Sequence, residues 1–314
     1  MNSLANHLQV EGLRRALPTP PPAPLRPQIS VVMVVYMTGP ALAASVDHVL
    51  AESLVDEFII VDNGSPPDVA AWLRELGKAE PRVRLIQGQG NVGFARGANL
   101  GAAAAHGAGL VFLNPDAFIQ PGCIAELAAA AIGRPAPCVV GGRVLNEDGS
   151  EQRGGRRGEV TPLTTLLTFS QLSLASQGLR RFEIHREGEP VPTGPVPMPT
   201  ISGACFYMRA LDFKLLRGFD EGFFLHVEDI DLCWRARQAG GAVVFQPRAT
   251  AVHLGSTSRK HPLAIEWHKG RGLVRYFLKQ ADSAGRYAFA LALSPLILAA
   301  AVARPALRTV RPRR

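Results

Sequence analysis

The residues best suited to chemistry lie in Gly222-Phe223-Phe224-Leu225-His226-Val227-Glu228-Asp229-Ile230-Asp231-Leu232-Cys233-Trp234-Arg235. Three acids fall within four positions there, beside two aromatic residues. Val227, Ile230 and Trp234 share one helical face, so they belong to a core and the acids open a helix. Acids at a helix start are favourable with the macrodipole, which accounts for part of the cluster. Asp231 and Arg235 stand four apart and are expected to pair. Glu228 and Asp229 exceed what a helix start needs, and a carboxylate so placed can take the proton of an attacking hydroxyl.

Four further segments offer ligand chemistry. Asp62-Asn63-Gly64-Ser65 ends an apolar run. It reads either as a tight turn or as an acid at a strand end that accepts from the base or ribose of a nucleotide. In Asn91-Val92-Gly93-Phe94-Ala95-Arg96-Gly97-Ala98-Asn99-Leu100-Gly101, glycines allow the backbone to approach a ligand, and a helix start presents N–H groups. Arg96 suits a bidentate contact with a diphosphate. The spacing is not that of a dinucleotide fingerprint, and an Asn/Gly-rich helix start is the plainer reading. Asn114-Pro115-Asp116 follows four apolar residues, and an acid there can hold a divalent cation on a pyrophosphate or merely close an Asn-Pro turn. His253 lies in an apolar stretch; it is a rim or core residue unless Asp116 stands nearby, when it can ligate the same metal.

These residues must be held by regular elements. Ile29-Ser30-Val31-Val32-Met33-Val34-Val35-Tyr36 is a continuous β-branched run, the pattern of a strand buried on both faces. Further strands are expected at 58–61, 83–86 and 110–113, with helices at 41–51, 68–76 and 97–106. This alternation predicts an α/β doubly wound, mostly parallel sheet, with ligands at the carboxyl ends of its strands. Order is expected again at 201–209, then a helix from about 227 to the Gly240-Gly241 stop, and two short strands at 242–246 and 249–254. Residues 153–199 lose periodicity and gain Gly, Pro and Arg, which reads as an irregular lid or acceptor-facing insertion. Residues 1–28 read as a Pro-rich, poorly packed lead-in. Domain bounds follow: a catalytic domain over 29–260 and C-terminal helices over 261–314.

Within those helices, 287–303 is uncharged and apolar between Arg286 and Arg304. As a helix it would span roughly 25 Å, slightly short of a bilayer core of about 30 Å, and Pro295 would kink it. It reads as a membrane-embedded or interfacial anchor with cytosolic basic flanks, or else as a buried terminal helix.

The 314-residue chain carries 34 Lys and Arg against 26 Asp and Glu, a net charge of +8. That balance suits a phosphate-bearing ligand or an anionic membrane surface. No basic patch is interleaved with aromatics and no finger or helix-turn-helix pattern occurs, so no nucleic acid partner is expected. Cys123, Cys138, Cys205 and Cys233 are scattered, without a C-x-x-C pair, which argues against zinc or disulfides and suits a reducing compartment. With no apolar secretory core at the start, a cytoplasmic location is expected, at the cytoplasmic face of the inner membrane if the tail is an anchor.

In order, the opening strand, Asp62-Asn63-Gly64-Ser65, the 91–101 segment, Leu113-Asn114-Pro115-Asp116, Ser202-Gly203-Ala204-Cys205, Gly218-Phe219-Asp220-Glu221, the acidic cluster and Val252-His253-Leu254-Gly255 resemble family 2 glycosyltransferases of the GT-A fold, in their rhamnosyltransferase-like branch. The resemblance covers roughly residues 29–260. It implies a Rossmann-like nucleotide-binding domain and inverting transfer of a sugar, a deoxysugar such as rhamnose, from a nucleoside diphosphate donor to a lipid-linked or polysaccharide acceptor in cell-envelope glycan synthesis. It also implies Mg²⁺ or Mn²⁺ as cofactor. Carried over by position, Tyr36, Asp62, Asn91, Gly93, Arg96, Asn99, Asn114 and Asp116 would bind the nucleotide sugar, and Asp116 with His253 the metal. Asp229 would be the general base, with Glu228 orienting it or binding acceptor. The first strand departs from the family pattern at Val35 and Met37, and Asn114 replaces the first acid of the D-x-D element. The competing reading is a catalytically inactive nucleotide-sugar-binding scaffold on the same fold. A nucleotidyltransferase is disfavoured, because Met37-Thr38-Gly39-Pro40 lacks the Gly-rich basic loop it would use.

Overall fold

The computed structural model describes residues 28–255 and 262–309. The lead-in up to residue 27, residues 256–261 and the side chains of the basic tail from 304 on lie outside the described residues. The first half alternates as expected: β1 (Ile29–Val35), α1 (Ala41–Ala51), β2 (Val55–Asp62), α2 (Pro67–Ala79), β3 (Val83–Ile86), α3 (Phe94–Ala104) and β4 (Gly109–Leu113). Every residue of β1 and β4 is buried, as their mostly apolar runs require, and Ser30, the polar residue of β1, donates to Glu57 at 2.7 Å.

The main sheet has nine strands in the order β3-β2-β1-β4-β10-β6-β11-β5, with β8 beside β11. Here β5 is Ala117–Ile119, β6 Cys138–Leu145, β8 Val196–Pro197, β10 Cys205–Arg209 and β11 Ala242–His253. Strands β3, β2, β1, β4, β6 and β11 share one direction, while β10, β5 and β8 oppose it. The result is a mixed α/β fold with a mostly parallel central sheet. On one face, α3 lies close to β1 because glycines lie at its contact points. An added Cβ on Gly97 would come within 2.9 Å of Val34, and one on Gly101 would strike Val32. These two glycines therefore serve helix–sheet packing rather than ligand approach. Beyond β4, Phe112 stacks on Phe206 with centroids 4.9 Å apart and meets Phe219 edge-on at 5.3 Å, tying β4 and β10 to the loop after α7 (Ala210–Leu215).

Three expectations are corrected, and one unassigned stretch gains elements. Helix α3 starts at Phe94, three residues earlier than expected, because Gly93 at φ 84° supplies the sharp entry. The two strands expected at 242–246 and 249–254 are one, Ala242–His253: its pairing with β6 slips between Gln246 and Thr250, and Pro247, which cannot donate to a ladder, lies within the bulge. Residues 117–146, unassigned from sequence, hold β5, α4 (Cys123–Ala130) and β6. The 153–199 segment is not irregular throughout. It carries β7 (Arg156–Arg157), α5 (Pro162–Phe169), α6 (Leu172–Ala175) and β8, and β7 pairs with β9 (Thr200–Ile201) in a second small sheet. Thr161 and Thr164 close a capping box at the start of α5.

The remaining helices are α8 (Glu228–Gln238), α9 (Pro262–Gln280) and α10 (Ala284–Thr309). As expected, Val227 and Ile230 enter a core, shared with Leu273 and Tyr276 of α9, and Trp234 packs against it. Asp231 and Arg235 pair at 2.7 Å. Helix α10 runs through Pro295; Ala290, Ser294, Ile297 and Ala301 are buried, while Phe289, Leu291 and Leu296 remain exposed.

Candidate active site

Two adjoining cavities open at the carboxyl ends of the parallel strands. The first, of about 350 Å³, lies beyond β1, β2 and β4 and is walled by Tyr36, Asn91, Gly93, Asn114, Asp116 and His253 among others. All six were singled out in the sequence. Gly93 is there of necessity: at φ 84° an added Cβ would sit 2.6 Å from the Phe224 carbonyl oxygen. Asn91 Oδ1 accepts from the Gly93 N–H at 3.1 Å and fixes that entry.

Three expected donor-binding residues do not line this cavity. Asp62 accepts from the N–H groups of Gly64 and Ser65 and, through its other oxygen, from Gln87 Nε2, so both carboxylate oxygens serve the turn. Its neighbour Asn63 reaches the cavity instead and donates to the Gly93 carbonyl at 2.9 Å. Asn99 brackets the 218–221 loop, accepting from Phe219 N–H and donating to Phe219 O, both at 2.9 Å. Arg96 is 59% exposed and faces Glu221 at 3.8 Å. Helix α9, assigned from sequence to the C-terminal extension, contributes Lys269, which lines both cavities. No sequence signal marked Lys269, because nothing in a solvated helix pattern shows which face meets a distant cleft.

Asp116 Oδ1 lies 3.1 Å from His253 Nε2, and Asn114 Nδ2 lies 3.2 Å from the same nitrogen. Pairing of β11 with β5 sets His253 opposite Ala117, which brings the two together. Gln152 orients the ring. Its amide nitrogen donates to His253 O at 2.9 Å, so its oxygen faces Nδ1 at 2.7 Å and takes the Nδ1 proton. That tautomer leaves Nε2, which faces Asp116 Oδ1 and the Asn114 amide, as the ring nitrogen able to ligate a cation. The donor set of one carboxylate and one imidazole fits a divalent cation that keeps waters and takes phosphate oxygens for the rest. Among the described residues no group of three or more His, Cys, Asp or Glu is placed to hold a metal ion.

The second cavity, of about 310 Å³, shares Asn114, His253 and Lys269 with the first and holds Glu228 and Asp229 in its wall. Its opposite side comes from the 153–199 segment, through Arg157, Thr165, Phe169 and Ile184. Asp229 Oδ2 accepts from Arg157 Nη2 at 2.6 Å and Gly203 N–H at 3.0 Å, and Oδ1 accepts from Ile230 N–H at 2.8 Å. Burial pushes its pKa up, but the Arg157 charge and these hydrogen bonds outweigh burial and hold the carboxyl below its ordinary value. Glu228 goes the other way. It is 7% exposed, its Oε2 has no hydrogen-bond partner among the described residues, and burial followed by the Asp229 charge pushes it up to about 8. At neutral pH the pair therefore carries one negative charge, on Asp229, and one proton, on Glu228. His226 beside them is pushed down to about 4 by burial and then by Lys269, so it is neutral.

Glu228 makes stability fall with pH. Above its ordinary value of 4.5 the unfolded chain releases this proton, while the folded protein keeps it up to about 8. Its stabilising share is thus fully present below 4.5 and is lost as pH rises through that window. Glu228→Gln removes the effect, so the variant's Tm relative to wild type is expected to rise between pH 5 and pH 8. Thermal unfolding at the two values checks this, and an equal Tm difference at both would refute it.

The sequence profile of glycosyl transferase family 2 matches residues 30–214, more than half of the chain. A curated relative, N-acetylglucosaminyl-diphospho-decaprenol L-rhamnosyltransferase of Mycobacterium tuberculosis, is 27% identical over 242 residues, covering 72% of this chain and 75% of that protein. The O-antigen biosynthesis protein RfbC of Myxococcus xanthus is 24% identical over 283 residues, 83% of this chain but 20% of the relative. Among solved structures, GalNAc-T7 with UDP, GalNAc and Mn²⁺ superposes with a TM-score of 0.63 at 19% identity, over 87% of this chain and about half (51%) of its own. The mannosyltransferase PcManGT from Pyrobaculum calidifontis, with GDP-Man and Mn²⁺, gives 0.56 at 15% identity over 99% and 84%. The two structures share the fold, and the sequence match carries the assignment: the chain belongs to glycosyl transferase family 2 and is a glycosyltransferase similar to its rhamnosyltransferases.

Proposed function

We propose that the protein moves a deoxysugar, rhamnose in the first instance, from a nucleoside diphosphate donor to a lipid-linked or polysaccharide acceptor in cell-envelope glycan synthesis. The supporting observation is that the two cavities meet at Asn114 and His253, with Asp116 on one side of the junction and Asp229 on the other. A donor in the first cavity would present its anomeric carbon at the junction, and an acceptor hydroxyl in the second would approach from the Asp229 side.

In this reading Asp229 accepts the acceptor hydroxyl's proton as the oxygen bonds to the anomeric carbon, and the bond from that carbon to the diphosphate oxygen breaks. A single displacement from the opposite face inverts the anomeric centre. Lys269 offers positive charge toward the departing diphosphate. Asp116 and His253 would hold a divalent cation, which when bound supplies charge compensation to the same group. Asp229→Asn is expected to lower kcat by about 10²–10⁴-fold with dTDP-rhamnose as donor, while donor affinity measured by calorimetry stays within about twofold. Turnover like wild type would remove Asp229 as base and favour the non-catalytic scaffold reading. Chelation is expected to abolish transfer and Mg²⁺ or Mn²⁺ to restore it; full activity in chelator would reject the metal.

Membrane association belongs to the same proposal. Residues Ala284–Ala303 have a mean hydropathy of 1.7, and only 22% of that span is buried, against α9 and its neighbours. A helix apolar all round with one covered face suits a lipid surface at the cytoplasmic side of the inner membrane. Phe289→Glu with Leu296→Glu is expected to release the protein from anionic phospholipid vesicles in a flotation assay. Unchanged flotation would leave α10 as a helix of the soluble body.

A further inference from the structure

One ion pair in the acceptor cavity has no part in the transfer described so far, although it closes on the residue read as base. Strand β7 is two residues long, and successive side chains on a strand point to opposite faces. Arg156 points into the body of the protein and is 2% exposed. Its Nε and Nη2 donate to the two oxygens of Glu151 at 2.6 and 3.2 Å, Nη2 also donates to Glu189 O at 2.9 Å, and the guanidinium lies 5.3 Å over the Phe245 ring. Arg157 points the other way, into the cavity. Its Nε donates to Gly154 O at 2.8 Å and its Nη2 to Asp229 Oδ2 at 2.6 Å.

The same small sheet delivers the second donor. Ser202 N–H bonds Gly155 O at 3.0 Å, just past the β7–β9 pairing, and the next residue, Gly203, donates its N–H to the same Asp229 oxygen. Gly203 is tight against the acid, since an added Cβ would lie 3.2 Å from Asp229 Cβ. Among the described residues Oδ1 accepts only the Ile230 N–H, which leaves it a lone pair for an incoming hydroxyl. The groups that face Asp229 are Arg157 from β7, Glu228 and Cys233 from α8, His226 from the preceding loop and Lys269 from α9 across the cavity. Of these, Arg157 is the cation in hydrogen-bond contact with it.

We propose that Arg157 is a positioning residue for transfer: braced by Arg156 on the opposite face of β7, its guanidinium holds Asp229 as an oriented carboxylate and directs the single proton of the buried acid pair onto Glu228. The proposal rests on reading Asp229 as the acceptor's base. It makes the 153–199 segment, outside the nucleotide-binding half of the sheet, the part that sets the charge state of the reacting acid. Without the guanidinium, two adjacent buried acids would share one proton with only the Gly203 and Ile230 N–H groups to favour its place on Glu228, and a protonated Asp229 cannot take another.

The test compares wild type with Arg157→Lys and Arg157→Ala, each checked for an unchanged fold by thermal melting and circular dichroism. Carbon-13 NMR of aspartate-labelled protein, with Asp229→Asn to identify the resonance, reads the Asp229 protonation midpoint without any substrate. In Arg157→Ala the midpoint is expected to rise by about one to three pH units, the effect of losing an opposite charge in contact. The acidic limb of the kcat/KM profile should move to higher pH by the same amount, so that the loss at pH 5 exceeds the loss at pH 8. Arg157→Lys should return most of both. An unshifted midpoint, or an equal loss at every pH, would overturn the proposal, because a merely structural arginine would lower activity uniformly. A shifted midpoint in a protein whose Asp229→Asn variant still transfers sugar would instead overturn the base assignment, and the positioning role with it.

Discussion

The site depends on a chain reversal that most sequences avoid. His226 and Val227 adopt φ values of 66° and 75° in succession, and for a β-branched residue that is a costly conformation, of order 1–3 kcal/mol. The reversal sets the first turn of α8 against the cavity, with Glu228 and Asp229 at its mouth. It persists because Val227 is buried against α9, where Gly272 leaves room: a Cβ there would meet Val227 Cγ2 at 2.9 Å. Packing in the C-terminal half thus offsets strain at the acids, and strain of this kind is commonest where a side chain must be aimed rather than merely accommodated.

Around that point the site is built from opposites. Asp229 is buried but surrounded by donors; Glu228 is equally buried and, among the described residues, lacks them on Oε2. Consecutive residues on one helix turn consequently differ in charge at neutral pH, although their intrinsic acidities are nearly the same. In the first cavity Asp116 comes from the turn between β4 and β5 and His253 from β11, and Gln152 sets the tautomer of the ring that faces the acid. Local environment, not residue type, separates the roles.

Much of this was legible in the sequence, for identifiable reasons. Strands β1 and β4 announce themselves because burial on both faces demands mostly apolar runs. Tyr36, Asn91, Gly93, Asn114, Asp116 and His253 come together because each sits at or near the end of a strand in a sheet whose direction the β/α alternation fixes. Asp62, Arg96 and Asn99 fall outside the wall of that cavity because turn-forming and loop-bracketing residues look the same in sequence as cavity-lining ones. Strand β6 was hidden by Gly141 and Gly142, which weaken a strand pattern but are needed where Ile201 and the Ala249 carbonyl press on the backbone. Arg157 and Lys269 were invisible for another reason. A two-residue strand has no periodicity to detect, and a helix reached after a long separation carries no sign of what it faces.

The brevity of β7 also constrains how the chain can change. Arg156 and Arg157 are neighbours of one residue type with opposite duties, one buried against Glu151 and the other turned to Asp229. Inserting or deleting a single residue between Gly155 and Arg157 would exchange their faces, sending the brace into the cavity and the cavity arginine into the body. The composition would hardly change, yet both contacts would be lost together. Length variation in the 153–199 segment can therefore accumulate in its loops, but the two-arginine step must keep its parity.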